Sequence, residues 1–437
     1  MKPLKVVLCS YSFGLGNGIA HMDSSLTAGI DESTFSLKVF VLRPDFPLGH
    51  VEAIGKATHI SLADAFTVLC EELADADILQ VNGAFDPVAS NAASVAGVPA
   101  IIEVMHQVEC GGMHAGIDAV VCVSELVRSI QNHSRTIIIH NGIDTELFSF
   151  KPGRRHEDSI TIVQVANSAK VLHCELAEIA QKLNNPSIRP VMVGDRAPVL
   201  GVPSLGLVSD MPAVYHESDL LFLIERRYAF GLVFIEGMAC GTLPVVSADS
   251  GAIEFVHHGK TGWVVNPASP SHACRILEEA TETVGSPKFT EMQINARALV
   301  EQQFSQERML HDYQKLWTTL GCRHRKKPVK SAVWMNLTLF ALLFRNGNEY
   351  AVRALEEYLA DVRPLEPYFL RHPMGQVTLS YLLQGIAPKM LELGAASLLS
   401  RLCSKLRHSR CASPLLDHFE TTAKEYMARR KSPANLI

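Results

Sequence analysis

The sequence predicts an α/β fold of two successive doubly wound, Rossmann-like domains facing a cleft, followed by an all-helical appendix. Short apolar, β-branched runs alternate with helical stretches. That cadence restarts near residue 150, and it ends after residue 322. Runs that do not alternate polar with apolar residues are expected of parallel strands covered on both faces.

The first series of strands is read at Leu4–Cys9, Leu37–Leu42, Ile78–Val81, Ala100–Val104, Ala119–Val123 and Thr136–Ile139. Asp86-Pro87 opens an Ala-rich helix that Gly97-Val98-Pro99 closes, a glycine stop followed by proline. Phe150 to Arg155, with Pro152-Gly153, is the expected linker. The second series is Ile160–Val165, Val191–Val193, Leu220–Ile224, Leu243–Val246 and Trp263–Val265. Within it, Gly231 to Cys240 reads as a helix ended by Gly241. Phe304 to Leu320 reads as a closing helix, and Tyr350–Val362 and Ile386–Leu406 as amphipathic helices of the appendix. The expected domains are 1–150, 151–303, a closing helix at 304–321, and a basic helical appendix at 322–437. Ligands of doubly wound sheets bind outside the carboxyl ends of the strands, so a cleft between the domains is the default site.

Composition narrows the function classes. The 437 residues are 47% apolar and 19% charged, which excludes disorder as the main state. The net charge of −5 hides an asymmetry: from Arg323 onward 18 Lys+Arg face 9 Asp+Glu, leaving 22 against 36 before it. Acidic body and basic tail suggest different partners, and no nucleic acid is expected. Ten cysteines show no C-x-x-C and no zinc cadence, so reduced thiols in the cytoplasm are expected. The N-terminus reads as a buried strand rather than a signal peptide. The stretch Ala332 to Phe344 falls short of the ~20 residues that a spanning helix needs.

Few residues carry chemistry. The loop Ser10 to Gly18, with Gly14, Gly16 and Gly18, follows a strand and precedes a helix, where backbone amides can approach a phosphate. Ile19 stands where a dinucleotide fingerprint needs its third glycine, which argues against an oxidoreductase. A plain tight turn is the alternative. Asp75-Ala-Asp77 has the form of a metal-binding pair but precedes its strand, so a polar turn is favoured and no metal is expected. The dense signal is Tyr228-Ala-Phe230-Gly231-Leu232 through Glu236 to Gly241-Thr-Leu-Pro244, then Ser250-Gly251-Ala-Ile-Glu254. A carboxylate on the first turns of a helix can accept hydrogen bonds from the two hydroxyls of a ribose. Amides near Gly231 and Leu232 can meet a diphosphate at the same helix end. By itself Glu236 could equally be an acid that the helix dipole favours.

This stretch resembles the signature of retaining GT-B glycosyltransferases, in the large glycosyl transferases group 1 family that includes sucrose synthases and many bacterial polysaccharide transferases. Gly16-Asn-Gly18, His106, Val123-Ser124-Glu125, His140-Asn-Gly-Ile-Asp144 and Val193-Gly194-Asp195 fit it as well, over about residues 4–320. The resemblance implies a metal-independent enzyme with no cofactor and a nucleotide-sugar as substrate. Glu236 would hold the ribose, and Phe230, Gly231 and Leu232 would line the nucleotide site. Lys170 would meet the diphosphate, Gly16 and Gly18 would face the donor phosphates and the acceptor, and His106 would lie near the transferred sugar. Two positions depart from the family pattern. Tyr228 stands where it has a glutamate, and Asn167 where it commonly has an arginine; Arg226 and Arg227 are candidates to supply the missing cation.

The expected function is therefore sugar transfer to an acceptor hydroxyl on a glycan, a lipid-linked molecule or a protein. The alternatives are a non-catalytic GT-B scaffold bound to another transferase, and a nucleotide-sugar epimerase. For the tail, two readings stand: Arg323 to Lys330 with Trp334 and Phe340 docks peripherally on the inner face of an anionic membrane, or the segment is a soluble helical bundle packed on the transferase or on a protein partner, with the basic run as a solvated linker.

Overall fold

The computed structural model describes residues 2–10, 18–41, 57–60, 65–82, 86–108, 116–151, 159–166, 176–194, 201–326, 390–391, 396–408 and 414–431. The first unit alternates β1 (Leu4–Ser10), α1 (Gly18–Ala28), β2 (Phe35–Val41), β3 (Ala57–His59), α2 (Ala65–Glu72), β4 (Ile78–Asn82), α3 (Asp86–Ala96), β5 (Ala100–Met105), β6 (Ala119–Cys122), α4 (Glu125–Ser129) and β7 (Thr136–Ile138). The second runs β8 (Ile160–Val165), α5 (Leu176–Leu183), β9 (Ile188–Val193), α6 (Met211–His216), β10 (Leu220–Leu223), α7 (Leu232–Cys240), β11 (Leu243–Ser247) and β12 (Trp263–Val265). Helices α8 (Pro270–Thr283), α9 (Pro287–Gln303) and α10 (Gln306–Gly321) follow, and α11 (Ala396–His408) packs with α12 (Pro414–Lys431) in the tail.

All strand pairs are parallel, in the orders β3-β2-β1-β4-β5-β6-β7 and β12-β11-β10-β8-β9. Each order reverses direction once, between β1 and β4 in the first sheet and between β8 and β10 in the second. Those reversals are where loops splay apart and ligands bind.

The unalternated strand runs have a direct physical reason. Val6, Leu8, Ile78, Ile102 and Val121 join one buried cluster with α1 and α10, while their neighbours Val7, Cys9, Leu79, Ile101 and Val120 join another that includes residues of α2 and α3. Each strand therefore buries both faces. Helix α10 crosses back from the second unit to seal the first: Met309, Tyr313, Trp317 and Leu320 are fully buried there. Trp317 packs edge-on against Phe35 and donates its Nε1 hydrogen to Gln80 Oε1 at 2.9 Å.

Strand β3 and helix α12 have no counterpart among the sequence expectations. Three residues, Ala57-Thr-His59, carry too little periodicity to stand out, and this strand sits at the sheet edge. Gly16, Asn167, Lys170, Trp334, Phe340, the segment Tyr350–Val362 and most of the linker, 152–158, lie outside the described residues.

The start of the basic run is tied to the first unit by side-chain contacts. Arg325 donates to the carbonyls of Ala76 and Ala96 at 3.0 Å, and Arg323 and Lys326 flank Asp118 at 2.8 and 2.5 Å. Carbonyls at and beyond helix C-termini lack intrahelical donors and attract cations; Arg325 answers that demand after α2 and at the end of α3, while Arg323 and Lys326 pair with Asp118. Lys327 and Lys330 lie outside the described residues. No helix among the described residues is long and apolar enough to cross a membrane.

The two units meet through specific contacts. Ser124 caps α4 by accepting from Val127 N at 3.2 Å and donates to the carbonyl of Ala229 in the second unit at 2.5 Å. Glu254 fills the same helix end, its Oε1 accepting from Glu125 N at 2.7 Å, while its Oε2 meets His140 Nε2 at 2.9 Å. His140 stacks on Phe230, which packs with Phe255 and Phe304 at centroid separations of 5.3 and 5.8 Å. Arg308 of α10 holds the carbonyl of His140 at 2.6 Å, and Arg297 of α9 holds those of Phe148 and Thr145 at 2.6 and 3.0 Å, clamping the crossover.

Two substitutions test this packing. Trp317→Phe removes a buried donor and leaves the Gln80 carbonyl stranded, at an expected cost of about 2–4 kcal/mol, read as a lower urea midpoint for the first unit. Gly251→Ala pushes a methyl group into the carbonyl of Ala229, and differential scanning calorimetry is expected to show a loss of about 1–3 kcal/mol. An unchanged melting temperature would mean the loop that carries Ala229 does not depend on the close approach of that glycine.

Candidate functional site

The site is built on the loop after β10 and on α7, at the second reversal point. Gly231 is the N-cap of α7 with φ +102°, a left-handed conformation in which a side chain would strike Phe234. Tyr228 lies on the other side of the same glycine, with Cε1 3.2 Å from where a Cβ would stand, and its ring meets Phe234 edge-on. Because the cap has no side chain, no capping group of its own covers the first amides of α7. Such an end carries partial positive charge and donors aimed outward.

Gly18, the first residue of α1, faces this helix end across the interface: a Cβ there would lie 3.0 Å from Leu232 Cδ1. The starts of α1 and α7 therefore converge, one from each unit, bringing Gly18, Gly231 and Leu232 together. Phe230 is instead buried in the aromatic cluster with His140, so it fixes the interface rather than offering a ring to a base.

Glu236 sits further along α7, partly accessible. Its Oε2 accepts the hydroxyl of Tyr215 at 2.8 Å, and its Oε1 has no hydrogen-bond partner among the described residues. Burial pushes the carboxyl up to about 7 from the ordinary carboxylate range, with the Tyr215 hydroxyl pulling the other way. The group thus sits at the edge of ionisation near neutrality, with one oxygen committed and one to spare.

His106 directly follows β5, at the carboxyl edge of the first sheet. Burial lowers its imidazole to about 4, so it is neutral at physiological pH. Its Nε2 is buried without a hydrogen-bond partner among the described residues. A neutral imidazole can give or take one hydrogen bond but cannot neutralise a phosphate.

Of the two arginines considered as substitute cations, Arg226 is paired with Asp249 at 2.9 Å, and Arg227 is exposed with φ +51°. Asp75 and Asp77 bond Lys5 at the amino end of β1, the opposite edge of the sheet from the site. Sequence reasoning missed Tyr215, whose link to Glu236 spans 21 residues and two elements and leaves no local pattern. It also missed Asp23 of α1, fully buried, whose two oxygens accept from Ser10 Oγ and Asn82 Nδ2.

Comparison with known proteins agrees with this geometry. The profile of the family described as glycosyl transferases group 1 matches residues 202–297, the segment that holds Tyr215, Tyr228, Gly231 and Glu236. N-acetyl-alpha-D-glucosaminyl L-malate synthase of Bacillus anthracis is 26% identical over 114 residues, 26% of this chain and 29% of that protein. D-inositol 3-phosphate glycosyltransferase of Gordonia bronchialis is 33% identical over 147 residues, 31% of each chain. The aligned parts thus span under a third of these relatives' length. Among solved structures, a glycosyltransferase from Rickettsia africae superposes with a TM-score of 0.63 at 16% identity, over 73% of this chain and 99% of that one. Anabaena Alr3699/HepE, solved in complex with UDP and glucose, superposes with a TM-score of 0.61 at 16% identity, over 72% and 100%. The family profile thus covers the segment that builds the Glu236 site, and the described chain has the GT-B fold.

Proposed function

We propose that this protein transfers a sugar from a nucleotide-sugar to an acceptor hydroxyl, with retention at the anomeric carbon and without a metal ion. The observation that carries the proposal is the glycine-capped start of α7, facing the start of α1, with the Glu236 carboxyl one turn behind it. In this reading Glu236 Oε1 accepts from a ribose hydroxyl and the diphosphate lies against the amides after Gly231. Charge that builds on the leaving diphosphate is met by fixed dipoles, which need no reorganisation as the glycosidic bond breaks. Lys170 would add a cation to that end, and Gly16 would extend the loop on the acceptor side. His106, neutral and aimed from the opposing sheet, would orient a sugar hydroxyl. The acceptor would be a glycan, a lipid-linked molecule or a protein.

A second reading, a GT-B scaffold without turnover, is favoured by Tyr228 in place of a glutamate and by Asn167 in place of an arginine. Calorimetric titration with UDP, GDP and ADP separates the two. A transferase binds at least one of them, and no binding by any would remove the donor site and favour the scaffold. Where binding is found, Glu236→Gln is expected to weaken it about 10–100-fold, the worth of a hydrogen bond to a charged group. The carboxylate accepts two hydrogen bonds and the protonated acid fewer, so native affinity should rise as pH rises through about 7 and level off above it. Glu236→Gln should lose that rise.

A further inference from the structure

We infer that Tyr215 is a positioning residue for nucleotide binding: its hydroxyl holds Oε2 of Glu236 so that Oε1 is presented to the ribose. The inference rests on the donor-site reading above and names how the protein sets the carboxylate that does the gripping. Tyr215 itself is fully buried, so it cannot touch a ligand and acts only through Glu236.

Tyr215 is held far more firmly than packing of one ring requires. Helix α6 is capped by Asp210, whose side chain accepts from Ala213 N at 3.1 Å. The Tyr215 carbonyl accepts from Thr242 Oγ1 at 2.6 Å, and the neighbouring His216 meets the Ser149 carbonyl at 2.8 Å. The ring packs against Phe148 on the crossover, 6.2 Å between centroids. Three segments thus fix the position of one phenol oxygen, and that oxygen has its 2.8 Å contact with the carboxylate. A glutamate has three rotatable bonds, and holding it in one rotamer before the ligand arrives lowers the entropy cost of binding.

The hydroxyl also sets the charge. A phenol that donates to a carboxylate favours the ionised form, and here it opposes the burial that raises Glu236. The other titratable groups around it are Tyr228 on the preceding loop, Cys240 at the end of α7, whose thiol burial pushes up to about 12, and Lys151 on the crossover, which acts on Cys240. Arg297 of α9 is committed to backbone carbonyls and to Glu301. Tyr215 is therefore the donor available to hold Glu236 ionised among the described residues.

The test follows the Glu236 carboxyl carbon by NMR in full-length protein labelled with carbon-13 glutamate, the signal being identified by its loss in Glu236→Gln. In Tyr215→Phe the titration midpoint is expected to move up by about one pH unit. UDP affinity should fall about tenfold at pH 7 and less than about twofold at pH 9, where the carboxyl ionises without help. Glu236→Gln supplies the baseline for the nucleotide's own titration. A second measurement uses biosynthetic 3-fluorotyrosine, whose more acidic hydroxyl donates more strongly and should move the midpoint down. An unchanged midpoint in both, or an affinity loss equal at pH 7 and pH 9, overturns the role of Tyr215. If Glu236→Gln still weakens UDP binding in that case, the donor site itself stands. If Glu236→Gln leaves UDP binding intact, the donor site falls and takes this inference with it.

Discussion

The placement of one loop, Tyr228 to Gly231, governs everything that the cleft can do. Two successive carbonyls of that loop are gripped from opposite units: Gly251 N donates to Tyr228 at 2.7 Å, and Ser124 Oγ donates to Ala229 at 2.5 Å. The close approach on the first side is possible only because Gly251 has no side chain. The next two residues bury Phe230 among aromatic rings and turn the chain left-handed at Gly231. A shift in this loop would move the start of α7 and carry Glu236 with it. Interface and ligand site are consequently one mechanical unit.

The interface also contains a comparison that the protein makes with itself. Helices α4 and α7 both begin at the junction between units, and both present amides there. At α4 the protein supplies its own anion, since Glu254 accepts from Glu125 N while also meeting His140. At α7 the cap is a bare glycine. An anion at a helix start is favourable at either end, so the difference is one of purpose. The first helix end is closed by the chain and joins the units, whereas no side chain caps the second, the end on which the proposed diphosphate contact rests.

Much of this was readable in the sequence. The strand runs and the helix at Gly231–Cys240 stand out because both faces of each sheet are buried and because Gly241 and Pro244 punctuate the chain. The order of short motifs, from Gly18 through His140-Asn-Gly to Gly251 and Glu254, carries the fold. What the sequence does not carry is the partner of each motif residue. Glu254 looks like part of a ligand site and instead bonds α4; Phe230 looks like a nucleotide contact and is buried beside His140. Arg323, Arg325 and Lys326 read as a charge run because nothing local marks Asp118 or the helix-end carbonyls that pair with them. Tyr215 escapes for the same reason, since its meaning lies in a contact that two elements create.

The two buried acids show how hydrogen bonding separates structure from binding. Asp23 lies at the reversal between β1 and β4, tied to the last residue of each strand, and Glu236 lies beside the reversal between β8 and β10. Burial lifts both carboxyls to about 7, so pKa alone does not tell them apart. Their oxygens do. Asp23 has both engaged by Ser10 and Asn82 and is wholly enclosed, which makes it a brace between the ends of β1 and β4. Glu236 has one oxygen engaged, by Tyr215, and the residue is partly open to the cleft. A desolvated carboxylate with an oxygen to spare costs the fold free energy that hydrogen bonding would otherwise offset, and in the proposed function a ribose hydroxyl supplies the missing donor.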